Sequence, residues 1–146
     1  MNESRVYLDT SILIKRYVKE EGSDVADSYF HMAQRGNTVI CLSEINLGEA
    51  AVVFDKYSRR MSIDANVRLQ TMLSELKGLE RSSSVEIYPV SSYLIREAIK
   101  TVLDQHIYII DAIQLETCIE AHGTVFCSAD KELNTTARRI GLETVS

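Results

Sequence analysis

Four acidic residues stand where a strand runs out or where a helix is otherwise apolar, and carboxylates gathered in such places can hold a hard cation. The first is Asp9, in the stretch VYLDTSIL, where three apolar residues run straight into a carboxylate followed by two hydroxyls. A carboxylate that ends a buried strand is costly to desolvate unless something pairs with it. Glu49 lies in SEINLGEAAVVF, with Leu47, Ala50, Ala51 and Val52 around it. Asp111 sits between Ile109-Ile110 and Ala112-Ile113, and Asp130 closes the segment VFCSAD. Each acid has an ordinary explanation: Asp111 and Asp130 suit helix N-termini, where they complement the dipole, and Glu49 could face water. As a group they are harder to dismiss, because several carboxylates meeting in one place cannot all ionise without a counter-charge. Mg²⁺ or Mn²⁺ resolves the conflict, since both take oxygen ligands and keep waters, whereas zinc prefers the His and Cys ligands missing here. Such a site can activate water and stabilise the oxyanions of a phosphodiester displacement.

The elements that must position these acids alternate. Short apolar or β-branched segments, Arg5 to Asp9, Thr38 to Leu42, Val85 to Val90 and Thr124 to Cys127, read as buried strands, with a weaker fifth at Leu142 to Val145. Between them, helical spacing runs over Ser11 to Lys19, Asp24 to Arg35, Glu44 to Arg59, Ser62 to Leu79, Ser91 to Leu103, Ile110 to Ala121 and Asp130 to Ile140. Ser43, Ser91 and Ser128 are the N-cap candidates, and Gly36, Gly123 and Gly141 stand where helices end. Strand alternating with helix predicts an α/β fold: a three-layer α/β/α sandwich around a parallel sheet of four to five strands, as one domain over residues 1–146. In such sheets the binding crevice lies beyond the carboxyl ends of the strands, which is where Asp9, Ser43 and Asp130 fall.

Whole-chain features narrow the choice. With 146 residues, 45% of them hydrophobic, the chain can bury one substantial core. It has no run approaching the roughly 18 apolar residues of a membrane span, and its N-terminus lacks a secretory apolar stretch, so a soluble cytoplasmic protein is expected. Cys41, Cys118 and Cys127 sit among apolar neighbours without metal-type spacing and read as reduced core thiols. A net charge of −5 argues against holding nucleic acid mainly by a basic surface, though an ion can neutralise an acidic site locally.

The stretches YLDTSIL, LSEINLGEA, IIDAIQLETC and CSADKEL, in that order, resemble the PIN-domain ribonucleases, and most of all the VapC toxins of toxin–antitoxin pairs. The resemblance covers nearly the whole chain. It implies that Asp9, Glu49, Asp111 and Asp130 are the catalytic, metal-holding acids, with Ser11 and Ser128 as supporting hydroxyls. It also implies Mg²⁺ or Mn²⁺ as cofactor, RNA as substrate, a homodimer, and a cognate antitoxin whose C-terminal segment blocks the active site. The departure from the family is at Leu115-Glu116-Thr117-Cys118, where relatives carry small residues at the second and fourth places; an inward Glu116 would perturb or extend the site.

Other assignments compete. Glu44 could replace Glu49, although a first-turn acid often serves only the helix dipole. Asp104 reads as part of a polar break, Asp104-Gln105-His106, between two helices. His31, His106 and His122 are scattered, without ligand spacing. Thr10 is expected to cap the first helix or bond the backbone. For phosphate contacts Lys15 and Arg16 rank first, ahead of Lys56, Arg59, Arg60, Arg138 and Arg139. Tyr7, Tyr88 and Tyr108 sit in apolar runs and read as core. The apolar residues of Tyr17 to Met32 and Ala50 to Tyr57 could exceed what one core buries and so serve a partner. Two further functions fit the acids: a PIN-type protein that processes or binds RNA without being a toxin, and an aspartate-dependent phosphatase, against which Ser11 stands where a second Asp is usual.

Overall fold

The computed structural model describes residues 4–145. Within them the order is β1 (Arg5–Leu8), α1 (Thr10–Leu13), a 3-10 turn (Ile14–Arg16), α2 (Ser23–Gln34), β2 (Val39–Ser43), α3 (Glu44–Arg60), α4 (Ala65–Arg81), β3 (Val85–Tyr88), α5 (Ser92–Gln105), α6 (Ile109–Glu120), β4 (Val125–Cys127), α7 (Lys131–Arg139) and β5 (Thr144–Val145). All five strands are parallel, in the order β3-β2-β1-β4-β5.

The period-2 pattern of the strands divides the core. Val6, Leu8, Ile40 and Leu42 face one layer with Leu13, Phe30, Phe54 and Met72 from the first four helices. Tyr7, Val39, Cys41 and Phe126 face the other with Leu115 and Cys118 of α6 and Leu133 and Ala137 of α7. Both faces of the sheet are thus covered, as buried parallel strands require. The three cysteines are buried. Among the described residues no helix is long and apolar enough to cross a membrane.

Several expectations are corrected locally. The first helix stops at Leu13 and tightens into the 3-10 turn instead of running to Lys19. Helix α4 starts at Ala65, behind Asp64, whose carboxylate accepts from the Asn66 and Val67 amides, so Ser62 is not its start. Ser43 and Ser91 do cap α3 and α5, but Ser128 does not cap α7; Asp130 does, accepting from the Glu132 and Leu133 amides. Asp104 lies inside α5, and the break between α5 and α6 falls at residues 106–108. Gly36 and Gly141 adopt positive φ at helix ends. After α6, His122 takes that conformation, while a Cβ at Gly123 would stand 2.6 Å from Cys118 Sγ. That glycine is therefore demanded by close packing.

Tyr17, Val18, Ala26 and Phe30 are core residues, so the first of the two apolar stretches is ordinary packing. Large apolar side chains are exposed instead at Tyr93, Ile99 and Leu103 on α5, at Tyr108, and at Val52 on α3.

Candidate functional site

Asp9 follows β1 directly, and its amide donates to the Cys127 carbonyl of β4 at 3.0 Å. The strand order reverses between these two neighbours: the chain builds outward from β1 to β3 on one side, then crosses back to β4 and β5 on the other. Such a switch point opens a crevice at the carboxyl ends of the strands. Asp9 is 4% exposed, and its burial is offset by a symmetric set of donors. Ser11 Oγ donates to Asp9 Oδ1 at 2.5 Å and Ser128 Oγ donates to Oδ2 at 2.6 Å. Each hydroxyl in turn accepts a backbone amide from the segment after β4, Ala129 N to Ser11 at 3.1 Å and Asp130 N to Ser128 at 3.0 Å. The Ile12 amide adds a bond to Oδ1 at 3.2 Å, making Asp9 itself the cap of α1 in place of Thr10. Burial pushes the Asp9 carboxyl above its ordinary pKa, and the bonds from Ser11, Ser128 and Ile12 work against that rise. Because the Ser128 hydroxyl is spent on Asp9, the cap of α7 passes to Asp130.

A second buried network reaches from the sheet to Glu49. Tyr7 Oη donates to Asn46 Oδ1 at 2.6 Å, and the Ser43 amide donates to the same oxygen at 2.8 Å. The Asn46 amide nitrogen donates to Gln114 Oε1 at 2.7 Å and to Thr10 Oγ1 at 3.0 Å. Thr10 Oγ1 then donates to Glu49 Oε1 at 2.7 Å. Asn46 and Gln114 are almost fully buried, and Gln114 Oε1 accepts both the Asn46 amide and the Thr10 backbone amide. Sequence reasoning missed both. Their signals were present, since Asn46 is the third residue of α3 behind a serine cap and Gln114 lies one turn beyond Asp111. Tyr7 is core, as expected, but its hydroxyl anchors the network.

Asp9, Glu49, Asp111 and Asp130 line one crevice of about 380 Å³, together with Thr10, Ser11 and Gln114. Asp111 feels the gathering most: burial first, then the charges of Asp130, Asp9 and Glu49, push its carboxyl up to about 6. An all-carboxylate donor set under this mutual repulsion suits a hard divalent cation. Among the described residues no three His, Cys, Asp or Glu side chains stand close enough to ligate one ion together. Mg²⁺ is commonly held by one or two carboxylates, with waters and substrate phosphates completing its shell, so the donor set fits that mode of binding.

The other candidates, Lys56 excepted, fall outside the crevice. Arg16 is committed to Glu75 and Asp27, each at 2.8 Å, and Lys15 Nζ donates to the Glu21 carbonyl at 2.6 Å. Lys56, exposed and without an ion pair among the described residues, lines the crevice beside Tyr57. Glu44 is exposed and Asp104 is a surface position of α5; neither lines the crevice. Glu116 packs against α5, where burial and then the Glu97 charge raise its pKa, and it does not extend the acidic site.

Comparison with known proteins gives a consistent picture. The family model described as PIN domain matches residues 6–139. A search of the curated proteins finds no match. Among solved structures, PAE2754 from Pyrobaculum aerophilum superposes with a TM-score of 0.67 at 14% identity, covering 97% of this chain and 90% of the other. VapC20 of Mycobacterium tuberculosis, described as a sarcin-ricin loop cleaving toxin, gives 0.62 at 15%, covering 89% and 93%. VapBC2 from Rickettsia felis, bound to a DNA fragment of its promoter, gives 0.61 at 19%, covering 97% of both chains. At these identities the likeness speaks for the fold.

Proposed function

This chain belongs to the PIN domain family, and from that premise we propose that residues 1–146 form one nuclease domain, a Mg²⁺- or Mn²⁺-dependent endoribonuclease acting in the cytoplasm. The observation that carries the reading is the convergence of Asp9, Glu49, Asp111 and Asp130 in one crevice at the β1/β4 switch point. When bound there, the ion supplies the positive charge that lets the acids ionise together, and Lewis-acid chemistry at the phosphodiester. The chain's own residues do the rest. Asp9, clamped by Ser11 and Ser128, presents a carboxylate that cannot rotate away. Thr10 holds Glu49 at the crevice, and burial together with the charges of Asp130, Asp9 and Glu49 opposes ionisation of Asp111, which a cation beside it would favour. Lys56 offers a cation to the phosphates on the α3 side.

Against an aspartyl phosphatase stands Ser11, which occupies the place where that chemistry usually has a second Asp. A toxin working as a homodimer with a cognate antitoxin is the fuller form of the proposal. It is supported by the likeness to VapC20, described as a toxin, and to VapBC2, and by the exposed Tyr93, Ile99 and Leu103 on α5. A neighbouring gene for a small DNA-binding protein would distinguish the toxin from an RNA-processing PIN protein. The nuclease itself is tested by Asp9→Asn. Metal-dependent cleavage of RNA should vanish while the circular dichroism spectrum stays unchanged; undiminished cleavage by the pure variant would overturn the assignment.

A further inference from the structure

A second cavity, of about 300 Å³, adjoins the crevice and shares Asp111 and Asp130 with it. The remainder of its wall is the turn between α5 and α6, with Glu132, Leu133 and Thr136 of α7. We propose that this cavity is a nucleobase subsite: it takes the base of a single-stranded RNA nucleotide next to the phosphate held at the acids, with Tyr108 as the stacking surface. The inference rests on the nuclease reading above.

Tyr108 is 68% exposed although its neighbours are apolar, and the turn explains why. His106 ends α5 in the left-handed region, at φ 58° and ψ 47°. Ile107 then packs between the α5–α6 cluster and the cluster under the sheet. With extended backbone at Tyr108, ψ 145°, successive side chains alternate, so burying Ile107 turns Tyr108 outward. An aromatic ring held by an anchored backbone and facing solvent at a cavity mouth loses little entropy when a base stacks on it.

The polar lining favours a base over a phosphate. Asp111, Asp130 and Glu132 make the cavity rich in acceptors, which repel a phosphate but accept from the exocyclic amino groups of adenine, guanine or cytosine. Gln105 has its Oε1 tied to Arg139 Nη1 at 3.1 Å, which leaves its amide nitrogen as the donor for a base edge. Lys56 lines the crevice and Tyr108 the second cavity, so the cation that suits the backbone and the surface that suits a base belong to adjoining cavities that share two acids.

The test is fluorescence anisotropy of an end-labelled single-stranded oligoribonucleotide of mixed sequence, with Ca²⁺ replacing Mg²⁺ to prevent turnover. Single abasic positions are scanned along the strand. One position should cost the wild type roughly tenfold in affinity, as loss of one stacked base does. Tyr108→Ala should bind the intact RNA roughly tenfold more weakly and show no further loss at that position, and Tyr108→Phe should keep both. Glu132→Gln should reduce any preference for an amino-bearing base over uracil there. The subsite falls, with the nuclease reading standing, if wild type binds and cleaves the RNA while Tyr108→Ala matches it in affinity and in the scan. If wild type neither binds nor cleaves, both readings fall.

Discussion

Ser128→Ala probes the clamp on Asp9 most directly. The substitution removes one hydroxyl from a residue 1% exposed, leaving Asp9 Oδ2 without its donor and the Asp130 amide without its acceptor. Water can replace the second partner, since Asp130 is exposed, but not the first, since Asp9 is 4% exposed. A hydrogen bond to a charged group contributes about 1.5–3 kcal/mol, and the stranded carboxylate keeps its desolvation cost. The expected loss is therefore about 1.5–3 kcal/mol at pH 7 in chelator, or a Tm lower by roughly 4–9 °C for a chain of this size. Urea unfolding followed by circular dichroism measures it. Ser58→Ala is the control, because Ser58 Oγ donates only to an exposed carbonyl, that of Asp55 at 2.7 Å, and should cost less than about 0.5 kcal/mol. The decisive arm is the double-mutant cycle: in an Asp9→Asn background the cost of Ser128→Ala should shrink by about 1 kcal/mol or more. An equal cost in both backgrounds, or a single variant as stable as wild type, would refute the idea that Ser128 acts through Asp9.

Three further outcomes follow from other parts of the molecule. Burial pushes the Glu75 carboxyl up, but hydrogen bonds from Arg16 and Tyr17 and the Arg16 charge outweigh it and hold the pKa below 4.5. A folded value below the unfolded one gives stability that is present above pH 4.5 and lost as the pH falls through the folded value. Wild type should therefore exceed Glu75→Gln in stability at pH 7, with the gap closing under acid titration; a gap independent of pH would contradict the network. Lys56→Ala should weaken RNA binding and lower the slope of log affinity against log salt by about 1, as loss of one phosphate contact does, and an unchanged slope would remove Lys56 from the RNA path. Gly123→Ala should destabilise by about 1–3 kcal/mol in thermal melts, because its Cβ would meet the buried Cys118 Sγ at 2.6 Å. A wild-type Tm would show that the α6–β4 turn yields easily.

Local pattern carried most of the architecture. The alternation of β-branched runs with helical spacing is a record of burial, and burial on both sheet faces is what forces a layered α/β chain, so the strands and the three layers were legible. The serines ahead of α3 and α5 were legible as caps because a cap satisfies amides within its own turn. The boundaries that failed were those where a side chain had a competing distant partner. Local pattern made Ser128 a cap for α7, since its actual acceptor, Asp9, lies 119 residues earlier, and only the family resemblance placed its hydroxyl beside the acids.

The sequence by itself also determined the chemical character of the site: four carboxylates at strand ends or on apolar helix faces, with hydroxyls beside two of them. Only the tertiary structure decided that they share one crevice, because that depends on β4 returning to lie beside β1 instead of extending the sheet past β3. The same crossover brings α6 over β2, placing Gln114 against Asn46 and Asp111 beside Asp130. It also separated the cations. Lys15 and Arg16 are nearest to Asp9 along the chain, yet Arg16 is drawn to Glu75 and Asp27 on neighbouring helices, and Lys56, 47 positions from Asp9, lines the crevice. Proximity along a chain fixes periodicity and capping, which act over a few residues. Electrostatic pairing acts over a few ångströms of space, and only the folded chain determines which residues those are.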